Sequence, residues 1–265
     1  MKQDVVQQIG GADQVLAATP AHHELPSFAH CAILLDIDGT LLDLAPTPHE
    51  VVVPPGLDQV LIALQQRAGG ALALVSGRSL ADIDRIFAPV RFAAIGGHGA
   101  EMRICADTDA IAAQAPPIND QLKLRLAAIA QLDPRILLED KGYALALHYR
   151  QAPHAERAIY EAVSVIRADL PSVPFDVLPG KAVCEIKPAG VTKASGVREL
   201  LRHPPFRGRR PMFIGDDVTD ETVFAIMPDL RGLAYSVGRH ATGVDGVFAA
   251  PRDVRRWLAQ WLAQS

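Results

Sequence analysis

Two carboxylates, Asp36 and Asp38, stand two residues apart in D-I-D-G-T-L, directly after the apolar run C-A-I-L-L. In a strand that spacing points both side chains to one face, and Gly39 lets the chain turn so that its amides approach a bound anion. Acids this close call for a divalent cation or a shared proton between them. A second acidic group, Asp216 and Asp217 in F-I-G-D-D-V-T-D-E, also follows an apolar run. Oxygen donors without histidine or cysteine nearby suit Mg²⁺, which is held by a few carboxylates plus substrate phosphate. Asp220 and Glu221 read equally well as first-turn acids favoured by a helix dipole. Ser76 in V-S-G-R and Lys193 in V-T-K-A-S-G carry little weight singly. Together with Asp36, Asp38 and Asp216 they form a set suited to binding and splitting a phosphate ester.

These residues meet only if the elements before them end at a common edge. Cys31–Asp36, Ala71–Val75, Pro211–Asp216 and L-A-Y-S-V are short apolar runs of the kind buried on both faces of a parallel sheet. Helical spacing joins them: Leu57, Val60, Leu61 and Leu64 up to Gly69 and Gly70, a helix capped by Ser79 with Asp82 three residues on, one after Lys193, one through Val223 and Ile226, and a last one. The alternation predicts an α/β fold, a doubly wound Rossmann-like parallel sheet with ligands at the carboxyl ends of its strands. It breaks after I-G-G-H-G-A-E, Ile95 to Glu101. From about residue 107 the pattern is a helix near Leu122 to Leu132, strands on either side of Lys141-Gly142, a helix from His154 to Leu170, and two further strands. That α-β-β-α-β-β order predicts an inserted α+β cap over 107–188, with 31–106 and 189–265 forming the core and 1–30 a leader holding His22 and His23.

Thirty acidic against twenty-six basic side chains in 265 residues provide no cationic field for a nucleic-acid backbone. No run has signal-peptide or membrane-spanning character, and Cys31, Cys105 and Cys184 lie in no metal-ligand spacing, so buried thiols in a reducing cytoplasm are expected. The final helix places Trp257, Leu258, Trp261 and Leu262 on one stripe, which predicts docking on the core.

The four segments D-I-D-G-T-L, V-S-G-R, Lys193 and G-D-D-V-T-D-E resemble the ordered motifs of the haloacid dehalogenase superfamily, and the insert resembles its C2B cap. The segments G-G-H-G-A-E, L-E-D-K-G-Y-A-L-A-L-H-Y-R and P-G-K-A-V-C-E-I-K-P are similar to those of trehalose-6-phosphate phosphatases. One departure is Ala194 where that family usually has glycine after the lysine. The resemblance implies Asp36 as nucleophile, Asp38 as acid and base, and Mg²⁺ held by Asp36, the Asp38 carbonyl and Asp216, with Asp217 as a further ligand or support. It implies a phosphate cradle of Ser76, Lys193 and the amides of Gly39 and Thr40, with Gly77 and Arg78 beside it. Glu139, Lys141, Arg150, Lys181 and Glu185 would read the sugar from the cap, and His98 would line the pocket or serve the turn. Trehalose 6-phosphate is the implied substrate and a trehalose-phosphate synthase a functional partner. Another C2-capped sugar phosphatase, acting on sucrose phosphate or a phosphoglycosyl glycerate, and a non-catalytic sugar-phosphate-binding module are the alternatives.

Overall fold

The computed structural model describes residues 25–45, 50–108, 115–180 and 182–264. Lys181, His22 and His23 lie outside the described residues. A seven-stranded sheet runs in the order β11-β10-β9-β1-β2-β3-β4. Its strands are β1 Cys31–Leu35, β2 Leu72–Val75, β3 Ala93–Gly96, β4 Glu101–Arg103, β9 Arg210–Gly215, β10 Leu233–Val237 and β11 Gly246–Phe248. All neighbours pair in parallel except β4 on β3. Every residue of β1, β2 and β10 is buried, the signature expected of strands covered on both faces.

The covering helices are α1 Leu57–Arg67, α2 Leu80–Phe87, α5 Lys193–Leu200, α6 Glu221–Phe224 and α7 Pro251–Gln264. Ser79 caps α2 by accepting the Asp82 amide, a contact worth about 1 kcal/mol. On α7, Trp257, Leu258 and Trp261 are buried, and Trp257 meets Tyr235 and Phe248 edge-on. At the end of the expected leader, Phe28 is buried and stacks on Trp261 at 4.3 Å between ring centroids. The helix expected through Val223 and Ile226 stops at Phe224, and turns then lead to Pro228 and Gly232. β4 and β11 are three-residue strands that periodicity did not reveal. Cys31 and Cys184 are buried, burial pushing their thiols up to about 12 and about 11, whereas Cys105 is only partly covered.

Between β4 and α5 lies a four-stranded antiparallel sheet, β5-β6-β8-β7, made of β5 Leu137–Asp140, β6 Leu145–His148, β7 Phe175–Gly180 and β8 Val183–Pro188. Two helices, α3 Asp120–Ile129 and α4 Glu156–Asp169, cover one face of it. Leu145, Leu147, Cys184 and Ile186 form a core there with Leu122, Leu126, Ile159 and Val163. By alternation the opposite face carries Glu139, Ala146 and Glu185 in one cross-strand row, with Leu137, His148 and Val183 in the next. The two sheets meet where Tyr143 and Ala144, in the β5–β6 turn, pack with Ala100, Ala115 and Val191.

Candidate active site

Three adjacent strands, β2, β1 and β9, deliver Ser76, Asp36 and Asp216 to one edge. Their registers pair Leu35 with both Leu74 and Ile214, so the first residues beyond the strands emerge side by side. The Asp36 amide still donates to the Ile214 carbonyl at 2.9 Å, which holds Asp36 at the end of the ladder. Gly39 has φ +76°, and a Cβ there would overlap the Asp216 carboxylate. Glycine is therefore required at this point for conformation and for space.

Lys193 is the first residue of α5, whose capping box joins the Thr192 and Ser195 side chains to each other's amides. A lysine there opposes the helix dipole, so only its partners justify the position. Its Nζ donates to Asp36 Oδ1 at 2.7 Å and to Asp220 Oδ1 at 2.6 Å, and all three residues are buried. Burial weighs against the ammonium, yet Asp36 and Asp220 more than offset it and raise its pKa. Burial also pushes the Asp36 carboxyl well above the usual range, with Asp220 and Asp216 adding to it and Lys193 opposing. Asp216 is pushed up to about 6, first by burial and next by Asp220.

The acidic cluster is Asp36, Asp216 and Asp220, with one oxygen from each lying within 4.8 Å of the others. Hard oxygens so crowded fit a divalent cation such as Mg²⁺, which relieves their repulsion. Asp217, the expected further ligand, is exposed and outside this cluster, and its carboxylate caps the Val218 amide at 2.6 Å. The reason is the 3-10 turn Val218–Asp220, which rotates Asp220 inward. There its Oδ2 accepts the amides of Asp216 and Asp217, both at 3.0 Å, while its Oδ1 holds Lys193. Asp220, left undecided from sequence, is thus the brace between the acidic loop and the lysine; its four-residue spacing from Asp216 was the available signal.

Asp38 is gripped by Arg78, whose Nε and Nη2 donate to its two oxygens at 2.6 Å each. The Ser76 hydroxyl accepts the Arg78 amide at 3.1 Å, leaving its own proton for a ligand. Of the expected cradle amides, that of Gly39 already donates to the Leu42 carbonyl at 2.8 Å, and that of Thr40 makes a long 3.4 Å contact with Ile37. The Thr40 hydroxyl faces Asp216 Oδ1 at 3.4 Å. Gly77 lies under the His98 ring, which a Cβ would overlap.

On the opposite face of the second sheet, Lys141 pairs with Glu185 at 2.6 Å and Glu139 with His148 at 2.8 Å. Arg150 is exposed and makes no hydrogen bond among the described residues. Lys187, buried at the end of β8, donates to the Val191 carbonyl and so differs from Lys193 in having no carboxylate in hydrogen-bond contact among the described residues. Neither it nor His148 was singled out from sequence as a substrate contact.

A family model described as trehalose-phosphatase matches residues 34–246. The trehalose-6-phosphate phosphatase of Escherichia coli is 39% identical over 87% of this chain and 86% of its own length. A probable trehalose-phosphate phosphatase of Sinorhizobium fredii is 44% identical over 78% of this chain and 77% of its own. The solved C-terminal domain of the C. albicans trehalose-6-phosphate phosphatase superposes with a TM-score of 0.73 over 94% of this chain and 99% of that one, at 22% identity, a likeness of fold. The chain belongs to the trehalose-phosphatase family.

Proposed function

We propose that the protein hydrolyses trehalose 6-phosphate to trehalose and inorganic phosphate through a phosphoryl group carried on Asp36. The observation that carries this reading is the buried Asp36–Lys193–Asp220 relay, set beside the Arg78-held Asp38 at the edge where Ser76 and Asp216 also emerge. Asp36, with one oxygen on Lys193, attacks phosphorus in line with the other; the bond from phosphorus to the sugar oxygen breaks. Asp38 gives that oxygen its proton, then takes one from the water that cleaves the aspartyl-phosphate. Lys193 and the Ser76 hydroxyl hold the remaining phosphoryl oxygens. A divalent cation held by Asp36, Asp216 and the backbone carbonyl of Asp38 would supply charge neutralisation at the phosphoryl group. Glu139, Lys141, Arg150, Lys181 and Glu185 would pair the sugar hydroxyls, and such pairing rejects esters that lack them.

In the cytoplasm the substrate would come from a trehalose-phosphate synthase. Phosphate release from trehalose 6-phosphate is compared with release from sucrose 6-phosphate and from a phosphorylated glucosyl glycerate. Preference for the first is expected, and equal or faster turnover of a rival would reassign the substrate. Asp36→Asn should lose at least ~10³-fold in kcat, since no other group there can form the intermediate; near-normal turnover with Mg²⁺ would overturn the nucleophile.

A further inference from the structure

His98 takes no part in the steps above, yet its placement is costly. It lies in G-G-H-G at φ 55°, ψ 31°, the left-handed region that residues with a Cβ enter only when their surroundings hold them there. Its amide donates to the Ser76 carbonyl at 3.1 Å, and its ring covers Gly77 in the catalytic loop. On the other side, the Tyr143 ring from the β5–β6 turn lies against Gly97. The imidazole therefore sits at the seam between the phosphate-handling loop and the second sheet.

Its Nδ1 is buried without a hydrogen-bond partner, a state shared among the described residues only with Nη2 of Arg239. A buried nitrogen so abandoned costs about 1–3 kcal/mol. Burial, then the ammonium groups of Lys193, Lys187 and Lys141, push the ring down to about 3, so it is neutral. A neutral imidazole offers one donor and one acceptor. A hydroxyl can answer either, whereas a phosphoryl oxygen can only accept and has Lys193 and Ser76 to receive it. Lys193, beside Asp36, and Lys141, of the Lys141–Glu185 pair, both act on the ring, so a substrate spanning the two would come by it, and the part of that substrate nearest the ester is the phosphorylated sugar ring.

We infer that His98 is a specificity-determining residue, its buried Nδ1 making a hydrogen bond with a hydroxyl of the sugar that carries the phosphate. This rests on the substrate proposed above. The test compares kcat/KM for trehalose 6-phosphate with that for p-nitrophenyl phosphate, which has no sugar hydroxyl. His98→Gly tolerates the backbone and deletes the ring; His98→Phe keeps the ring over Gly77 and deletes both nitrogens. Either should lower the ratio at least tenfold, while His98→Asn, which accepts a positive φ and places a polar atom near Nδ1, should stay within threefold of wild type. The inference is overturned if the ratio survives in both the Gly and Phe variants, or if Asn loses as much as they do. Failure of the wild-type protein to prefer trehalose 6-phosphate over p-nitrophenyl phosphate would instead sink the substrate reading, so the two failures are distinct.

Discussion

Replacing Lys193 by methionine keeps most of the side-chain volume and removes the only ammonium among the described residues in hydrogen-bond contact with Asp36 and Asp220. Two unit charges 4.8 Å apart, the outer spacing in the acidic cluster, repel by about 3.5 kcal/mol at an effective dielectric near 20. Three carboxylates cannot all stay ionised there, so without a cation the variant must take up protons or loosen. Breaking a buried pair from one side costs about 3–5 kcal/mol, and that is the loss expected for Lys193→Met in EDTA at pH 7.5. Asp220→Asn is disruptive for a different reason. Its carbonyl can still accept the amides of Asp216 and Asp217, but its NH₂ then faces the Lys193 ammonium, donor against donor. In the double variant that conflict is gone, so the two losses should fall short of adding by about 1.5 kcal/mol or more. Urea unfolding of the four proteins measures this, with unchanged m-values as the check on two-state behaviour. Mg²⁺ should stabilise Lys193→Met more than wild type, because the cation takes over the neutralisation that the lysine supplied. Additivity within about 0.5 kcal/mol, or a Lys193→Met protein as stable as wild type in EDTA, would refute the claim that this lysine balances the cluster.

Arg78→Lys replaces a planar fork that reaches both oxygens of Asp38 by a point charge that can hold one. A loss of about 10–100-fold in kcat is expected, within the range for misplacing a general acid, with the Mg²⁺ concentration for half-activity unchanged; a shift in the latter with kcat kept would contradict the orienting role. The His98 ring titrates near 6.5 when unfolded and at about 3 when folded. Above pH 6.5 it is neutral in both states and contributes nothing to the pH dependence. As pH falls below 6.5 only the unfolded state gains the proton, so stability drops by up to ~1.4 kcal/mol per unit until about pH 3. His98→Asn lacks this loss and should gain about 2 kcal/mol on wild type between pH 6.5 and 4.5, read from urea midpoints; parallel curves would show that the ring is not held neutral.

The candidate edge was legible because three of the four motifs each mark the end of a buried strand by themselves, Lys193 instead heading a helix. Parallel pairing then turns separate strand ends into one site: Asp36, Ser76 and Asp216 needed no long-range information beyond the α/β alternation. The inserted sheet was legible for a similar reason, its helix and strand periods being plain in residues 120–188. What local pattern cannot carry is the direction of a side chain after an irregular turn. Asp217 and Asp220 look alike in D-D-V-T-D, and only the 3-10 turn decides that one faces water and the other Lys193. The Arg78 grip on Asp38 joins residues forty apart in sequence through two loops of no regular period. Likewise, β4 and β11, at three residues each, are too short for alternation to show.

The local charge count explains why composition said so little about the ligand. Among the described residues Asp36, Asp216 and Asp220 face a single ammonium, so the fully ionised cluster carries two negative charges where the proposed phosphate dianion would have to land. Burial and then the neighbouring carboxylates push Asp36 and Asp216 up, so the cluster resists carrying all its charges at once. A substrate anion would be repelled unless the cluster were first neutralised, and one divalent cation restores the balance that Lys193 alone cannot. The need for the proposed cation would therefore belong to substrate binding as much as to bond cleavage. It is invisible in a net charge of −4 for 265 residues, because the deficit is two charges confined to a few ångströms.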